Sequence, residues 1–205
     1  VEFVAGSAHA CARLARGELR CWGYNEFGQA GPVADPAPAP VATHAIAAAR
    51  LSVGDAHACA WTDTDAWCWG DGAYGQLGDD ARARRDRPVA VPGLGRVREL
   101  VTGARHTCAL EHGGTVMCWG DDTFGQLAGR GRPTGEPFDE HEGPLPLPPI
   151  EARSRPRPAP VAGLADVVDL AVHEHHTCAV RRGGKITCWH AWDDDPLTPE
   201  RVVPG

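Results

Sequence analysis

Eight cysteines are the residues of this chain best suited to chemistry, and they fall into four pairs whose partners are nine or ten positions apart. A histidine stands two residues before the first cysteine of each pair, as in HTCALEHGGTVMCWG, residues 106–120. Such residues can form disulfides, ligate a transition metal or remain buried thiols. The pairs are Cys11 with Cys21, Cys59 with Cys68, Cys108 with Cys118, and Cys178 with Cys188.

The spacing within each pair favours a disulfide across a β-hairpin. The segment between Cys108 and Cys118 contains the turn residues His112-Gly113-Gly114 next to strand-forming residues. Cysteines directly opposite on two such strands have Cβ atoms about 4.5–5.5 Å apart, close to disulfide reach. Structural zinc usually takes cysteines two to four residues apart, and no such pair is present. Free buried thiols and metal ligation remain as the weaker alternatives. Four disulfides would place the chain in an extracellular, periplasmic or cell-surface location.

The same pairing arithmetic places each recurring histidine opposite a glycine. His9 faces Gly23, His57 faces Gly70 and His106 faces Gly120. Repetition of the histidine in every copy favours a structural role, with the ring over the space that glycine leaves and a ring N–H bonded to backbone. The tryptophans alternate to the other strand face from the cysteines, which predicts packing between adjacent sheets.

The cysteine unit is part of a longer repeat. Copies begin at His9, His57, His106 and His176, and a period of this size is typical of a solenoid or propeller. An aromatic-Gly-Gln element follows the tryptophan and predicts a tight turn in which glutamine bonds the backbone of the neighbouring unit. The extra length of the third copy lies in the proline-rich residues 129–159, which predict an extruded loop. We therefore expect one repeat domain, residues 1–205, with units at about 1–48, 49–97, 98–167 and 168–205.

The pattern G-x-x-H-x-C-A, then C-W-G, then aromatic-G-Q-L-G resembles the regulator of chromosome condensation repeat, most clearly in residues 103–129. The resemblance covers nearly the whole chain outside 129–159. It implies an all-β fold, a β-propeller built of four-stranded antiparallel blades, here a partial ring of about four repeats. The paired cysteines resemble the version of this repeat found in exported bacterial proteins. An incomplete ring leaves an unpaired face at each end, which predicts self-association.

The fourth copy departs most from the pattern. His173 replaces the repeat glycine, and His190 replaces the glycine after tryptophan. The pairing rule places His176 opposite His190, with Glu174 on the same strand face. Two histidines and a carboxylate could bind zinc or copper, which makes this cluster the candidate metal site. The alternative is an end repeat under relaxed constraint.

The inserted loop is the candidate partner-binding segment, because insertions in repeat proteins often fall on the binding face. A solvated spacer is equally compatible. The acidic residues that would contact a partner are Glu136, Asp139, Glu140 and Glu142.

Composition narrows the classes of function. A net charge of −7 argues against a nucleic-acid partner. No stretch approaches about 18 consecutive apolar residues, so no transmembrane segment is predicted. Val1 is not a translation start and no signal peptide is visible, which predicts a trimmed chain. No phosphate-binding loop, G-x-S-x-G or H-E-x-x-H motif is present, so we expect neither an enzyme nor a cofactor.

The leading functional hypothesis is a non-enzymatic exported propeller that binds a protein or surface ligand through its loops. The first alternative is a metal-binding or metal-dependent protein that uses the histidines of the fourth repeat. A further alternative is guanine-nucleotide exchange on a small GTPase, which the family resemblance implies and the acidic, cysteine-paired composition disfavours.

Overall fold

The structure is a computed structural model, and it describes residues 1–44, 46, 49–128 and 149–189. In these residues fifteen strands form four antiparallel sheets, which we call blades 1 to 4 in chain order. The predicted all-β fold is confirmed. Blades 1 and 2 contain β1 (Glu2–Ala5), β2 (His9–Arg13), β3 (Leu19–Gly23), β4 (Ala37–His44), β5 (Arg50–Val53), β6 (His57–Trp61), β7 (Ala66–Gly70) and β8 (Arg85–Ala90). Blades 3 and 4 contain β9 (Val97–Thr102), β10 (His106–Glu111), β11 (Val116–Asp121), β12 (Ser154–Pro160), β13 (Val167–His173), β14 (His176–Arg181) and β15 (Ile186–Trp189).

The central hairpin of each blade has the register that the cysteine spacing predicts. Cys108 pairs with Cys118, and His106 pairs with Gly120. The equivalent pairs in blades 1 and 2 also form, including His57 with Gly70. All eight cysteines form disulfides within their own hairpins, and the Cα atoms of each pair are 4.0–4.2 Å apart. The predicted disulfide pairing is confirmed.

The outermost strand of each complete blade is rich in proline. Proline has no N–H to donate and is therefore confined to edge strands, where one side needs no ladder partner. β12 has the sequence SRPRPAP and pairs with β11 only. The interpretation of residues 129–159 as one extruded loop was therefore wrong for its last part. Residues 150–152 form a short 3-10 helix and Ser154–Pro160 form an edge strand.

The hydrophobic core lies between blades, because each sheet is too thin to bury apolar side chains by itself. The contact between blades 2 and 3 is typical. The Cys59–Cys68 disulfide of blade 2 packs with Leu100 and Trp119 of blade 3. Equivalent clusters join blade 1 to blade 2 and blade 3 to blade 4. Each disulfide thus stabilises its own hairpin and also forms part of the surface on which the next blade packs.

Side chains of blades 1 and 4 are more exposed than their equivalents in the blades between them. Phe3 of blade 1 is 61% exposed, whereas the equivalent Leu51 and Leu100 are 4% and 1% exposed. Cys188 of blade 4 is exposed, while the cysteines of the first three disulfides are fully buried. The reason is that no described blade precedes blade 1 or follows blade 4.

The connections between strands divide the molecule into two faces. The loop face, as we call it, carries the turns between the first and second strands of each blade and the long loops after the third strand. The hairpin face, at the opposite end, carries the turns between the second and third strands. The segment between β11 and β12 begins and ends on the loop face.

The fold predicts that a buried disulfide contributes more to stability than an exposed one of the same loop length. Replacing Cys178 and Cys188 with alanine should lower the free energy of unfolding by on the order of 3 kcal/mol, from loop entropy. Replacing Cys108 and Cys118 should cost at least about 1 kcal/mol more, because it also leaves a cavity in the contact between blades 3 and 4. Urea denaturation of both double variants measures the difference. Equal losses would contradict the placement of the disulfide in the core between blades.

Candidate functional site

A hydrogen-bonded relay joins His57 of blade 2 and His106 of blade 3 to the next blade. His57 Nε2 lies 2.9 Å from the Thr107 hydroxyl, and that hydroxyl donates to the main-chain carbonyl of Gln76. The same carbonyl accepts a hydrogen bond from the indole N–H of Trp119. His106, Thr177, Gln126 and Trp189 repeat this arrangement between blades 3 and 4. The predicted packing of tryptophan between sheets is confirmed.

The relay fixes the protonation state of its histidines. Since the threonine hydroxyl gives its proton to a carbonyl, it can only accept from the histidine, and Nε2 must carry the ring hydrogen. Nδ1 of His57 and Nδ1 of His106 are buried without a hydrogen-bond partner. Burial, with a smaller contribution from neighbouring histidines, lowers the pKa of both rings from 6.5 to about 3. These histidines are therefore neutral over the ordinary pH range and cannot exchange protons with a substrate.

Two details of the relay differ from expectation. The ring N–H bonds a threonine hydroxyl of the next blade, whereas the sequence predicted a bond to backbone. The amide group of the Gln76 side chain bonds within its own blade and not to the neighbouring one. The Gln76 side-chain oxygen accepts from the main-chain N–H of Tyr74 in its own turn, while its main-chain carbonyl serves the next blade.

Glycines of the repeat mark places where two blades meet by their backbones. A Cβ on Gly54 would lie 2.3 Å from the carbonyl oxygen of Gly103 in the next blade. A Cβ on Gly75, in the aromatic-Gly-Gln turn, would lie 2.5 Å from Cα of Pro156. His173 replaces this kind of glycine in blade 4, where no described blade follows. The departure of the fourth copy thus coincides with the loss of a close backbone neighbour.

The relay is incomplete between blades 1 and 2. Ala58 occupies the position of Thr107, so His9 faces a methyl group where the other histidines face a hydroxyl. Both ring nitrogens of His9 are buried without a hydrogen-bond partner. Burial lowers the pKa of His9 to about 4, and the nearby Asp55 opposes that effect.

A cavity of about 260 Å³ opens on the loop face where the first turns of the blades converge. Its charged and polar lining includes Ser7, Asp55, His173 and Glu174, and the Ser7 hydroxyl donates to the Asp55 carboxylate. Backbone of the three repeat glycines forms much of the rest. The cavity is polar, and its lining comes from the first strands and turns of all four blades.

Aromatic side chains of the aromatic-Gly-Gln turns contact residues of the following blade. Phe124 packs on His175 with ring centroids 4.7 Å apart. Tyr74 lies beneath the guanidinium groups of Arg105 and Arg153, at 4.7 Å and 5.7 Å from its ring centroid. The loop face therefore combines aromatic surface with charged side chains. The sequence singles out Arg153 only as part of the inserted segment, and the contact of Tyr74 with Arg105 could not be predicted, because stacking between blades has no signal in local spacing.

The residues predicted for a metal site are only partly placed. Glu174 lies in the turn between β13 and β14 with a φ of 48°, and not on the strand with His176 as the pairing rule suggested. His173 pairs with His176, while His190 is outside the described residues. No group of three or more metal-ligating side chains is found in the described part of the chain. The metal hypothesis stays a prediction, which metal analysis of the purified protein would test.

The predicted partner-binding residues cannot be placed. Glu136, Asp139, Glu140 and Glu142 all lie outside the described residues. Within residues 1–44, 46, 49–128 and 149–189, no helix has the length and hydrophobicity that crossing a bilayer requires. Self-association through the two end faces also stays a prediction.

Comparison with known sequences identifies the repeat. The sequence model of the Regulator of chromosome condensation (RCC1) repeat matches residues 63–110, and a second model of the same repeat matches residues 1–29 and 97–126. The E3 ubiquitin-protein ligase HERC2 of Homo sapiens is 32% identical over 126 residues, which cover 57% of this chain and 3% of HERC2. The ultraviolet-B receptor UVR8 of Arabidopsis thaliana is 31% identical over 123 residues, which cover 56% of this chain and 28% of the receptor.

Solved structures share the fold. Yeast RCC1 (Prp20), in its complex with Kap60, superposes with a TM-score of 0.73 at 21% identity, covering 93% of this chain and 43% of that chain. Human WBSCR16 superposes with a TM-score of 0.74 at 16% identity, and the superposition covers 93% of this chain and 46% of that chain. Another structure of Prp20p, from Saccharomyces cerevisiae, was described with its binding properties to Gsp1p and histones. The chain thus spans less than half the length of these structures.

Radially arranged four-stranded blades, joined by apolar contacts and the histidine relay, define a β-propeller repeat protein. Residues 1–29 and 63–126 match sequence models of the regulator of chromosome condensation repeat, so this repeat is present in the chain.

The relay predicts a pH dependence of stability. Between its unfolded pKa of 6.5 and its folded pKa of about 3, His106 binds more protons in the unfolded chain, so the free energy of unfolding rises with pH. The contribution is complete above pH 6.5 and is lost as pH falls toward 3. His106→Gln should therefore reduce the slope of the free energy of unfolding against pH. Between about pH 4 and 6 the reduction should be up to about 1.4 kcal/mol per pH unit. His112→Gln, at an exposed turn, is the control, and equal slopes in both variants would refute the effect.

The incomplete relay predicts a stabilising substitution. Ala58→Thr would supply a hydroxyl between His9 and the Gln29 carbonyl, and should raise the free energy of unfolding by about 1 kcal/mol. Ala10→Thr, at the equivalent strand position of blade 1, has no described histidine to pair with and controls for the strand preference of threonine. Chemical denaturation compares the two variants. The interpretation fails if Ala58→Thr is no more stable than Ala10→Thr.

Proposed function

We propose that this chain is a non-enzymatic, exported scaffold that binds a protein partner through its loop face. The observation that carries the proposal is a contrast in burial between the contacts that join the blades and the side chains of the loop face. Between blades, histidines, tryptophans and disulfides are buried in contacts that hold the ring together. The loop face carries a polar cavity and, separately, aromatic side chains and arginines that are exposed or half-buried. Binding residues of repeat proteins are commonly carried on such loops, which a rigid scaffold positions.

The burial and the low pKa of the repeat histidines support a non-enzymatic role. A general acid or base needs a pKa near the working pH and access to its substrate. His57 and His106 are fully buried and have a pKa of about 3, so neither condition is met. Their repetition is explained by the relay between blades.

Four disulfides support export to an oxidising environment, because disulfides that stabilise a fold persist mainly outside the cytosol. The first three are buried between blades, so reduction would damage packing as well as the hairpins. This composition and the net charge of −7 do not favour guanine-nucleotide exchange in a nucleus. Protein binding is also consistent with the Kap60 complex of yeast RCC1, which shares the fold.

Matched charge reversals on the two faces of blade 2 test the proposal. Asp55→Arg alters the cavity on the loop face, and Asp65→Arg alters an exposed turn on the hairpin face. Each immobilised variant is incubated with proteins from the native extracellular or periplasmic fraction, and bound proteins are quantified by mass spectrometry. Asp55→Arg should reduce recovery of the specific partner by about tenfold or more, while Asp65→Arg should not.

Circular dichroism melting must show that both variants keep the parent fold. Crosslinks to the partner should map to the loop face. Loss of binding by Asp65→Arg alone, or crosslinks confined to the hairpin face, would contradict the proposal.

A further inference from the structure

Two arginines share one tyrosine at the boundary between blades 2 and 3. Tyr74 belongs to the aromatic-Gly-Gln turn of blade 2, Arg105 to the first turn of blade 3, and Arg153 immediately precedes β12 of blade 3. The guanidinium carbons lie 4.7 Å and 5.7 Å from the centre of the Tyr74 ring. Three separate segments thus bring two positive charges and a phenol together on the loop face.

Neither guanidinium group is in direct contact with a carboxylate in the described part of the chain; Arg153 reaches the buried Asp121 carboxylate only through the Thr123 hydroxyl. No carboxylate there lies within 4.0 Å of Arg105 or Arg153, although other arginines of the same blades have one. Arg85 pairs with Asp79 at 2.8 Å, and Arg96 pairs with Asp63 at 2.9 Å. Neighbouring like charges repel, so an anion that binds beside both guanidinium groups removes an unfavourable interaction as well as adding favourable ones.

Hydrogen-bond donors at this position also lack acceptors. Arg105 Nη1 donates to the Tyr74 hydroxyl oxygen at 3.0 Å, which leaves the proton of that hydroxyl without an acceptor among the described residues. Arg153 donates through Nη1 to the Thr123 hydroxyl, while its buried Nε has no partner there. The group therefore offers a phenol O–H and the remaining guanidinium N–H groups. An oxygen anion is the complementary ligand.

We propose that Tyr74, Arg105 and Arg153 form a carboxylate-binding site, which takes an aspartate or glutamate side chain of the protein partner. This inference rests on the proposed function, because the carboxylate comes from a protein docked on the loop face. The guanidinium fork matches the two oxygens of a carboxylate, and such charge-assisted hydrogen bonds are short and directional. The tyrosine ring holds both cations in place through cation–π contact and supplies a further donor.

A short acidic peptide tests the chemistry without the unidentified partner. The probe is acetyl-Gly-Glu-Asp-Glu-Gly-amide, and the control probe has glutamine and asparagine in place of the acids. Titration is followed by the Nε–Hε signals of arginine in nitrogen-15 NMR spectra of the full chain. The acidic peptide should shift Arg105 and Arg153 with a dissociation constant of about 1–10 mM, and the amide peptide should not.

Variants define the contribution of each side chain. Arg105→Gln and Arg153→Gln should each weaken binding of the acidic peptide by about tenfold. Tyr74→Phe, which keeps the ring, should weaken it by about threefold. Arg96→Gln on the hairpin face is the matched control and should leave binding unchanged. Melting curves establish that each variant is folded.

Three results would overturn the site: equal shifts with the amide peptide, equal weakening by Arg96→Gln, or tighter binding of inorganic phosphate than of the acidic peptide. The last result would assign the site to a phosphate group. Failure here is distinguishable from failure of the proposed function. If Asp55→Arg still abolishes partner recovery while the peptide does not bind, protein binding stands and the carboxylate site is wrong.

Discussion

The apolar contact between one blade and the next is the interaction on which the rest of this structure depends. A single blade is a thin sheet with little interior, and its only means of burying Leu100 or Trp119 is the disulfide-bearing surface of the preceding blade. The disulfide serves two purposes at once. It fixes the hairpin register, and its sulfurs fill the apolar contact. Loss of the bond would therefore affect neighbouring blades as well as the hairpin that contains it.

Hydrogen bonds join polar groups of neighbouring blades in the same contacts, although Nδ1 of His57 and Nδ1 of His106 have no hydrogen-bond partner. The Gln76 carbonyl accepts from both Thr107 and Trp119, and the threonine hydroxyl is itself bonded by His57. A buried charge at this position would be costly, and the low pKa of the ring keeps it neutral. The histidines are consequently committed to structure. Under the proposed function, recognition depends on the loop face, where Arg105 stands at a position that alanine occupies in the first two copies (Ala8 and Ala56).

Much of the structure within each blade could be predicted from the sequence, because the residues that pair are close together in the chain. The distance of ten residues between Cys108 and Cys118, with Gly-Gly between them, allows one hairpin register, and the partner of His106 follows from it. Contacts between blades could not be predicted in the same way. The partner of His57 lies 50 positions away on another sheet, and only the fold identifies it as Thr107. Proline content was misleading at Ser154–Pro160, because an edge strand and an extruded loop both tolerate residues without a backbone donor.

Direct mapping of the disulfides tests the central claim. Protease digestion without reduction, followed by mass spectrometry, should recover four linked peptide pairs, each joining the two cysteines of one hairpin, with no free thiol. Linkages between different blades, or eight free thiols in protein purified from its native compartment, would contradict the account.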